Sequence, residues 1–250
     1  GETGLQEAEK AAERIAGLFE EPIQLDDMQV SVMMNAGVVA FPEHGDTAET
    51  LLRRADVAMY AAKELEKKSF QIYEPGRDEE HLRRLRLIGE LRAALTTDAV
   101  SVHYQPKVDL KTDEVCAAEA LIRWIHPEFG FVSPEEFIPL AEQSGLIQDI
   151  TAHVLQVVMR QLQVWRDAGF DLAIAVNLSA HDLLDENFPD LIAKLLQSHD
   201  LSSRSLILEV TESAVMKDAA TAGKVMNRLQ EQGIRLSIDD FGTGQASLAQ

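Results

Sequence analysis

EVCAAEALIRW, residues 114–124, is the stretch whose reading decides the fold: small and apolar residues run almost unbroken, and one acid, Glu119, sits towards the end of the VCAAEAL run. Three later stretches repeat the pattern. LAIAVN (172–177) closes on Asn177, SLILE (205–209) on Glu209, and RLSIDD (235–240) on the pair Asp239 and Asp240. Runs this rich in Leu, Ile, Val and Ala read as strands buried on both faces, the habit of parallel α/β sheets. A carboxylate in such a place is costly unless it is paired or bound to a metal. Five oxygen-bearing side chains at the C-terminal ends of buried strands therefore predict one convergent site. In a (β/α) barrel those ends all open on one face, where active sites sit. Oxygen-only ligands suit hard divalent cations such as Mg2+, Mn2+ or Ca2+.

Outward from these runs, the chain alternates strand and helix from Val100 onward. Strands are predicted over 101–110, 114–124, 172–179, 206–212 and 235–242, and helices over 134–145, 150–169, 190–199 and 220–233. Ser133 followed by Pro134 is a good helix start, and Gly169 and Gly233 fall where helix C-termini are expected. This rhythm implies a mainly parallel sheet, open or closed into a barrel. Residues 78–95 read as a charged amphipathic helix joining two domains; its Arg83, Arg84, Arg86 and Arg92 mark a solvated face rather than a phosphate site. Upstream, 5–21 has helical spacing, with Ala8, Ala12, Ile15, Leu18 and Phe19 on one face. Two strands are expected over 22–27 and 30–41, turning at Asp26-Asp27. A helix is expected over 47–68, capped by Thr47, with Leu51, Leu52, Ala55, Ala58, Met59 and Ala62 as its apolar face, and then a short strand over 69–73.

Composition bounds the rest. The chain has 250 residues, and its net charge of −19 argues against a general binder of nucleic-acid polymers, which needs Lys and Arg. The charge does not exclude a phosphate ligand, because bound cations invert the local field. Cys116 is the only cysteine, so no intrachain disulfide can form and a cytoplasmic compartment is expected. No apolar run approaches the ~20 residues of a membrane span, so any anchor of the parent protein would lie outside these residues. His103, His126, His153 and His181 show no zinc-type spacing. Trp124 and Trp165 read as packing residues.

Six short sequences in order, YQP (104–106), EALIRW (119–124), FIPLAE (137–142), VNLSA (176–180), EVTES (209–213) and DDFGTG (239–244), resemble the EAL domain family. The resemblance covers roughly residues 80–250 and implies a modified TIM (β/α)8 barrel with an antiparallel first strand, of which five of eight strands are expected here. NAGVVAFP (35–42), DTAETLLRRADVAMYAAK (46–63) and the terminal IY (72–73) resemble the C-terminal portion of a GGDEF domain, the diguanylate cyclase module often placed ahead of an EAL domain. The expected organisation is 1–76 as the GGDEF portion, 77–96 as linker and first helix, and 97–250 as a C-terminally incomplete EAL domain.

What the EAL resemblance implies about chemistry is specific. Its members hydrolyse cyclic di-GMP to linear pGpG with Mg2+ or Mn2+ at a two-metal site, in bacterial second-messenger signalling. By that resemblance Glu119, Asn177, Glu209, Asp239 and Asp240 are metal ligands, with Glu119, Asp239 and Asp240 catalytic. Gln105, Leu121, Arg123 and Asn177 hold the substrate. Glu212 supports the loop carrying Gly242 and Thr243. Arg123 lies on the strand face of Glu119 and Leu121 and suits a bidentate contact with a phosphate; a salt bridge to a nearby acid is the plainer alternative.

Departures from the family pattern open a second reading. Gln245-Ala246-Ser247-Leu248 stands where the family has YSSL, and no counterpart is found for the family's later lysine and glutamate that activate water. The 250 residues alone are accordingly expected to be inactive. Lys63 and Lys67 match phosphate-holding positions of cyclases, making GTP a candidate ligand of the first domain, but EKK at 66–68 replaces the family's GRN and points to a regulatory role. The leading expectation is a cytoplasmic, homodimeric cyclic di-GMP phosphodiesterase. The alternatives are an inactive cyclic di-GMP receptor and a dimerising signal-relay scaffold.

Overall fold

The computed structural model describes residues 2–19, 23–25, 28–30, 32, 34–64 and 70–239. The chain divides into two units, 1–86 and 87–250. In the first, α1 (Glu2–Gly17) is followed by the antiparallel pair β1 (Ile23–Leu25) and β2 (Met28–Val30), with Leu25 opposite Met28. The Asp26-Asp27 turn lies outside the described residues. The single strand expected over 30–41 is instead divided: β2 ends at Val30, and β3 (Ala36–Val38) pairs in parallel with β4 (Phe70–Ile72). Between them runs α2 (Ala48–Glu64), whose Thr47 side chain accepts from the Thr50 amide at 3.2 Å, as a cap should.

Two expected faces are displaced by about one helical position. On α1 the buried residues are Ala12 and Ala16, while Ile15 and Leu18 are exposed. On α2 they are Val57, Ala58, Ala61 and Ala62, while Leu52 and Met59 are exposed. Close packing explains the preference for small residues. Gly37 in β3 lies so near α2 that a Cβ there would stand 1.8 Å from the Ala55 carbonyl oxygen, and an approach this tight favours alanine over leucine beneath it.

The second unit begins inside α3 (Arg77–Ala94), whose Leu87 and Leu91 are fully buried in its core. Arg92 pairs with Asp149 at 2.9 Å and the Arg84 guanidinium sits over the Tyr60 ring. Then come β5 (Val100–Asp109), β6 (Glu114–His126), β7 (Gly130–Val132), α4 (Pro134–Ser144) and α5 (Ile147–Asp167). The series continues with β8 (Ala173–Asn177), α6 (Ala180–Leu183), α7 (Phe188–Ser198), β9 (Leu206–Thr211), α8 (Glu212–Met216), α9 (Ala219–Glu231) and β10 (Arg235–Asp239). The sheet order is β10-β9-β8-β6-β5; β5 is antiparallel to β6, the other neighbours are parallel, and β7 pairs with β6. Gly169 and Gly233 follow α5 and α9 with φ of 85° and 80°, as left-handed helix ends.

Pairing assigns the faces. Gln105 is opposite Glu119, Glu119 is beside Ala175, Asn177 beside Glu209, and Asp239 beside Thr211. Neighbours in register share a face, so these residues share one. The other face carries Ala120, Trp124, Ile174, Val176, Leu206, Leu208 and Val210, all packed into the core with α4, α5 and α9. The strand-end positions expected for Glu119 and Glu209 are corrected here. Glu119 is the sixth of thirteen residues of β6, and Gln105 is mid-strand in β5, because the antiparallel hairpin continues past the point where β6 pairs with β8. Glu209 likewise precedes Val210 and Thr211 within β9.

Tyr104 points to the core face and meets Trp165 edge-on, ring centroids 5.3 Å apart, with its hydroxyl buried and unpartnered. Burial pushes its phenol up to about 12, against the opposing pull of Arg160. An unfolded phenol ionises near 10, so the stabilising difference is whole below that pH and is lost as pH rises towards 12. Denaturant titrations between these limits should show native stability falling more steeply than that of Tyr104→Phe; parallel curves would remove Tyr104 from the alkaline transition.

Candidate active site

Four predicted ligands fall on the same sheet face, and two of them touch. The Asn177 amide nitrogen donates to Glu119 Oε1 at 2.9 Å. That contact commits the NH2 group and leaves the amide oxygen free to serve as a neutral ligand. Glu209 is 6% exposed, and its Oε2 is buried with no hydrogen-bond partner. An orphaned carboxylate oxygen in such a place is expensive. Asp239 ends β10 and is exposed. Asp240, Gly242 and Thr243 lie outside the described residues. Among the described residues no three His, Cys, Asp or Glu side chains close on a common metal position.

One residue that the sequence reading passed over stands at the centre. Lys107 Nζ lies 2.5 Å from Glu209 Oε1 and 3.7 Å from Glu119 Oε2. Burial disfavours its charge, but the hydrogen bond and charge of Glu209, and then those of Glu119, outweigh burial and raise its pKa above the ordinary value. In the sheet, β5 is separated from β9 by β6 and β8. At about 4.8 Å per strand, a flat sheet would hold them out of side-chain reach. The contact therefore requires the sheet to coil towards closure.

The fit to a divalent cation can be judged from these groups. Glu119 and Glu209 converge on a cation already, the lysine ammonium; Glu209 has an oxygen to spare; and Asn177 adds neutral oxygen. Donors of this kind suit Mg2+ or Mn2+.

Asn177 also lines a cavity of about 380 Å3, with Leu121, Arg123, Ser179, Thr211 and Lys217 among others, to which Glu119, Glu209 and Asp239 do not contribute. It sits at the C-terminal ends of β8 and β9, between the sheet and α4, α5 and α8. Arg123 holds the Ile122 carbonyl oxygen at 2.8 Å. Two cationic side chains, one carboxylate, Glu142, four hydroxyls, those of Thr151, Ser179, Thr211 and Ser213, and apolar walls give the cavity a mixed polar lining with a small excess of positive charge. Glu212 opens α8, on the turn after β9.

Asp182, also absent from the predicted set, fixes the loop after Asn177. Its Oδ2 accepts from the Ser179 amide at 2.9 Å, the Ser179 hydroxyl at 2.7 Å and the Thr151 hydroxyl at 2.9 Å. Burial pushes its carboxyl up even though these donors favour the charged form. The signal was readable: Ser179 and Asp182 form a capping pair three residues apart.

A largely parallel sheet with acids on its inner face and a cavity at its C-terminal strand ends has the layout of an α/β barrel protein with a site on that face. Residues 88–250 match the EAL domain, and residues 1–69 match the diguanylate cyclase GGDEF domain; the chain belongs to the EAL domain family. Its fold is the family's modified TIM barrel, five of whose strands lie among the described residues.

The bifunctional diguanylate cyclase/cyclic di-GMP phosphodiesterase MucR of Pseudomonas aeruginosa is 37% identical over 97% of this chain and 36% of its own length. Cyclic di-GMP phosphodiesterase PdeR of Escherichia coli is 36% identical over 97% of this chain and 36% of its own. The chain thus spans about a third of these relatives. The solved PaMucR phosphodiesterase in complex with c-di-GMP matches with a TM-score of 0.61 and 43% identity, over 65% of this chain and 66% of that one. The EAL enzyme Bd1971, in its cAMP- and cyclic-di-GMP-bound form, matches with 0.58 and 30% over 68% and 47%.

Replacing Asp182 by Ala strips one buried and two part-buried donors of their acceptor and should cost about 1–3 kcal/mol. Chemical denaturation followed by circular dichroism measures it; a change of a few tenths would mean that the loop holds itself.

Proposed function

We propose that the parent protein is a cation-dependent phosphodiesterase that opens cyclic di-GMP to linear pGpG. The observation that carries the reading is the convergence of Glu119, Asn177 and Glu209 on one face, beside a cavity that also presents Arg123 and Lys217. Phosphodiesterase relatives and cyclic di-GMP-bound neighbours support it.

Divalent cations at such a site lower the pKa of bound water and neutralise charge on the phosphodiester. The chain's own groups are assigned as follows. Glu119, Glu209, Asp239 and Asp240 provide anionic oxygens, and Asn177 a neutral one that limits the total charge. Arg123 orients a non-bridging phosphate oxygen, and Gln105, opposite Glu119, contacts the base or phosphate from the edge strand. Leu121 packs against the ligand. Glu212 supports the loop of Gly242 and Thr243. Mg2+ and Mn2+ are the cations we assign, in a homodimeric cytoplasmic protein. No described helix is long and apolar enough to cross a membrane. GTP, if the first unit takes it, would meet Lys63 on the last turn of α2.

In the full-length parent, Glu119→Ala should abolish Mn2+-dependent release of pGpG, a loss of several orders of magnitude, with the fold retained. Turnover equal to the native rate would remove Glu119 from the chemistry. Tight binding of cyclic di-GMP by the native protein with no turnover in Mg2+ or Mn2+ would instead favour the receptor reading. Ca2+, with more ligands at longer distances, should support a far lower rate than Mg2+ in the same assay. Equal rates would count against a compact, geometrically demanding cation site.

A further inference from the structure

We propose that Lys107 is an internal counter-cation that competes with a divalent cation for Glu119 and Glu209, so that loading the site requires the lysine side chain to swing out. The inference rests on the divalent-cation reading above.

Three observations place Lys107 in this role. The first is register. Lys107 is opposite Ala117 and two residues from Gln105, so its side chain rises on the face of Glu119, and the alanine methyl opposite leaves the path to that acid clear. The second is the irregularity in the hairpin. Pairing shifts between Lys107 and Val108, with Lys107 opposite Ala117 but Val108 opposite Val115, so Cys116 is the extra residue of a bulge immediately beside the lysine. Bulges increase local twist and re-aim side chains. The third is the contact itself, one ammonium on two carboxylates from β6 and β9.

The competition follows from chemistry. A small dication takes carboxylate oxygens directly, at about 2.0–2.2 Å, and the Glu209 Oε1 lone pairs cannot be given in full to both it and an ammonium. Two like charges a few ångströms apart also repel. Lysine suits a reversible occupant: it is a compact charge on a flexible stem, unlike the rigid fork of arginine. Its side chain is 36% exposed, so an exit towards water exists, whereas the Glu209 side chain it pairs with is 7% exposed and stays. The dication replaces one positive charge by two at the same acids, which is why it wins when present. When it is absent, the lysine keeps Glu119 and Glu209 from repelling one another apart.

The test measures Mn2+ binding to the full-length parent by the electron paramagnetic resonance signal of free Mn2+, with no substrate present. Lys107→Met should bind Mn2+ about tenfold more tightly than the native chain, because the dication then has no ammonium to displace from Glu119 and Glu209. Lys107→Arg, which keeps the charge, should gain nothing. Equal affinity in native and Lys107→Met proteins, or weaker binding in the latter, overturns the competition while leaving the cation site intact. Binding by none of the proteins overturns the cation site and the inference together.

A second measurement needs no variant. Acetylation of the native chain, mapped by mass spectrometry, should find Lys107 protected in chelator and more reactive with saturating Mn2+, while Lys217 and Lys224 change little. Unchanged protection of Lys107 at saturating Mn2+ would equally overturn the proposal.

Discussion

Everything at this site depends on holding carboxylates together on the inner face of a coiled sheet. Two carboxylates that share one ammonium repel by an appreciable fraction of a domain's stability unless water or a cation intervenes. Glu209 has little water, being almost wholly buried. Two neighbours offset its cost: Lys107 supplies a charge, and Asn177, between the two acids in the sheet, ties down Glu119. The surrounding inner-face positions are small, with Ala117, Ala173 and Ala175 beside the acids. That is the physical sense of AAEAL and AIAVN: on one face the alanines leave room for something other than side chains, and on the other Trp124, Ile174 and Leu208 fill the core.

This division of faces explains what could be read from the chain alone. Runs such as SLILE announce strands because nearly every position is apolar, and an acid within one is conspicuous. The order of strands and long helices in the second unit was therefore legible, and so were Glu119, Asn177, Glu209 and Asp239 as members of one face. Position along the strand was less so. A strand-end reading of Glu119 assumes that β6 stops where its parallel partner stops, but the β5 hairpin carries it on for seven further residues, Ala120 to His126. Short elements such as β7, α6 and α8 have too few residues to show a period.

Lys107 and Asp182 were missed for opposite reasons. Lys107 follows Pro106 in a hairpin whose exposed end reads as ordinary surface, and a lysine there is unremarkable until β9 is seen to curl over it. The clue was its two-residue spacing from Gln105. Asp182 belongs to a loop between predicted elements, where an acid is expected to be solvated; only the packing of α5 brings Thr151 to it. In the first unit the amphipathic faces of α1 and α2 were misplaced because size, rather than hydropathy, decided what was buried. Gly37 lets β3 approach the α2 backbone so closely that alanines fit beneath it and Leu52 does not.

The inner and outer layers are also coupled. Thr151 lies on α5, in the helical layer, yet it shares the Asp182 carboxylate with Ser179, two residues beyond Asn177. Leu178, between them, donates its amide to the Glu209 carbonyl oxygen at 2.8 Å and is buried in the core. The segment 177–179 is therefore held on three sides: Asn177 to an acid of the inner face, Leu178 to the β9 backbone, and Ser179 to a buried acid braced by the outer helices. A loop anchored in this way has little freedom to relax when charge on the inner face changes. Lys107, at the edge strand and partly open to solvent, has that freedom. Any rearrangement of the charges around Glu209 is thus concentrated in the lysine, and the side-chain oxygens of Asn177 and Glu209 stay where the fold puts them.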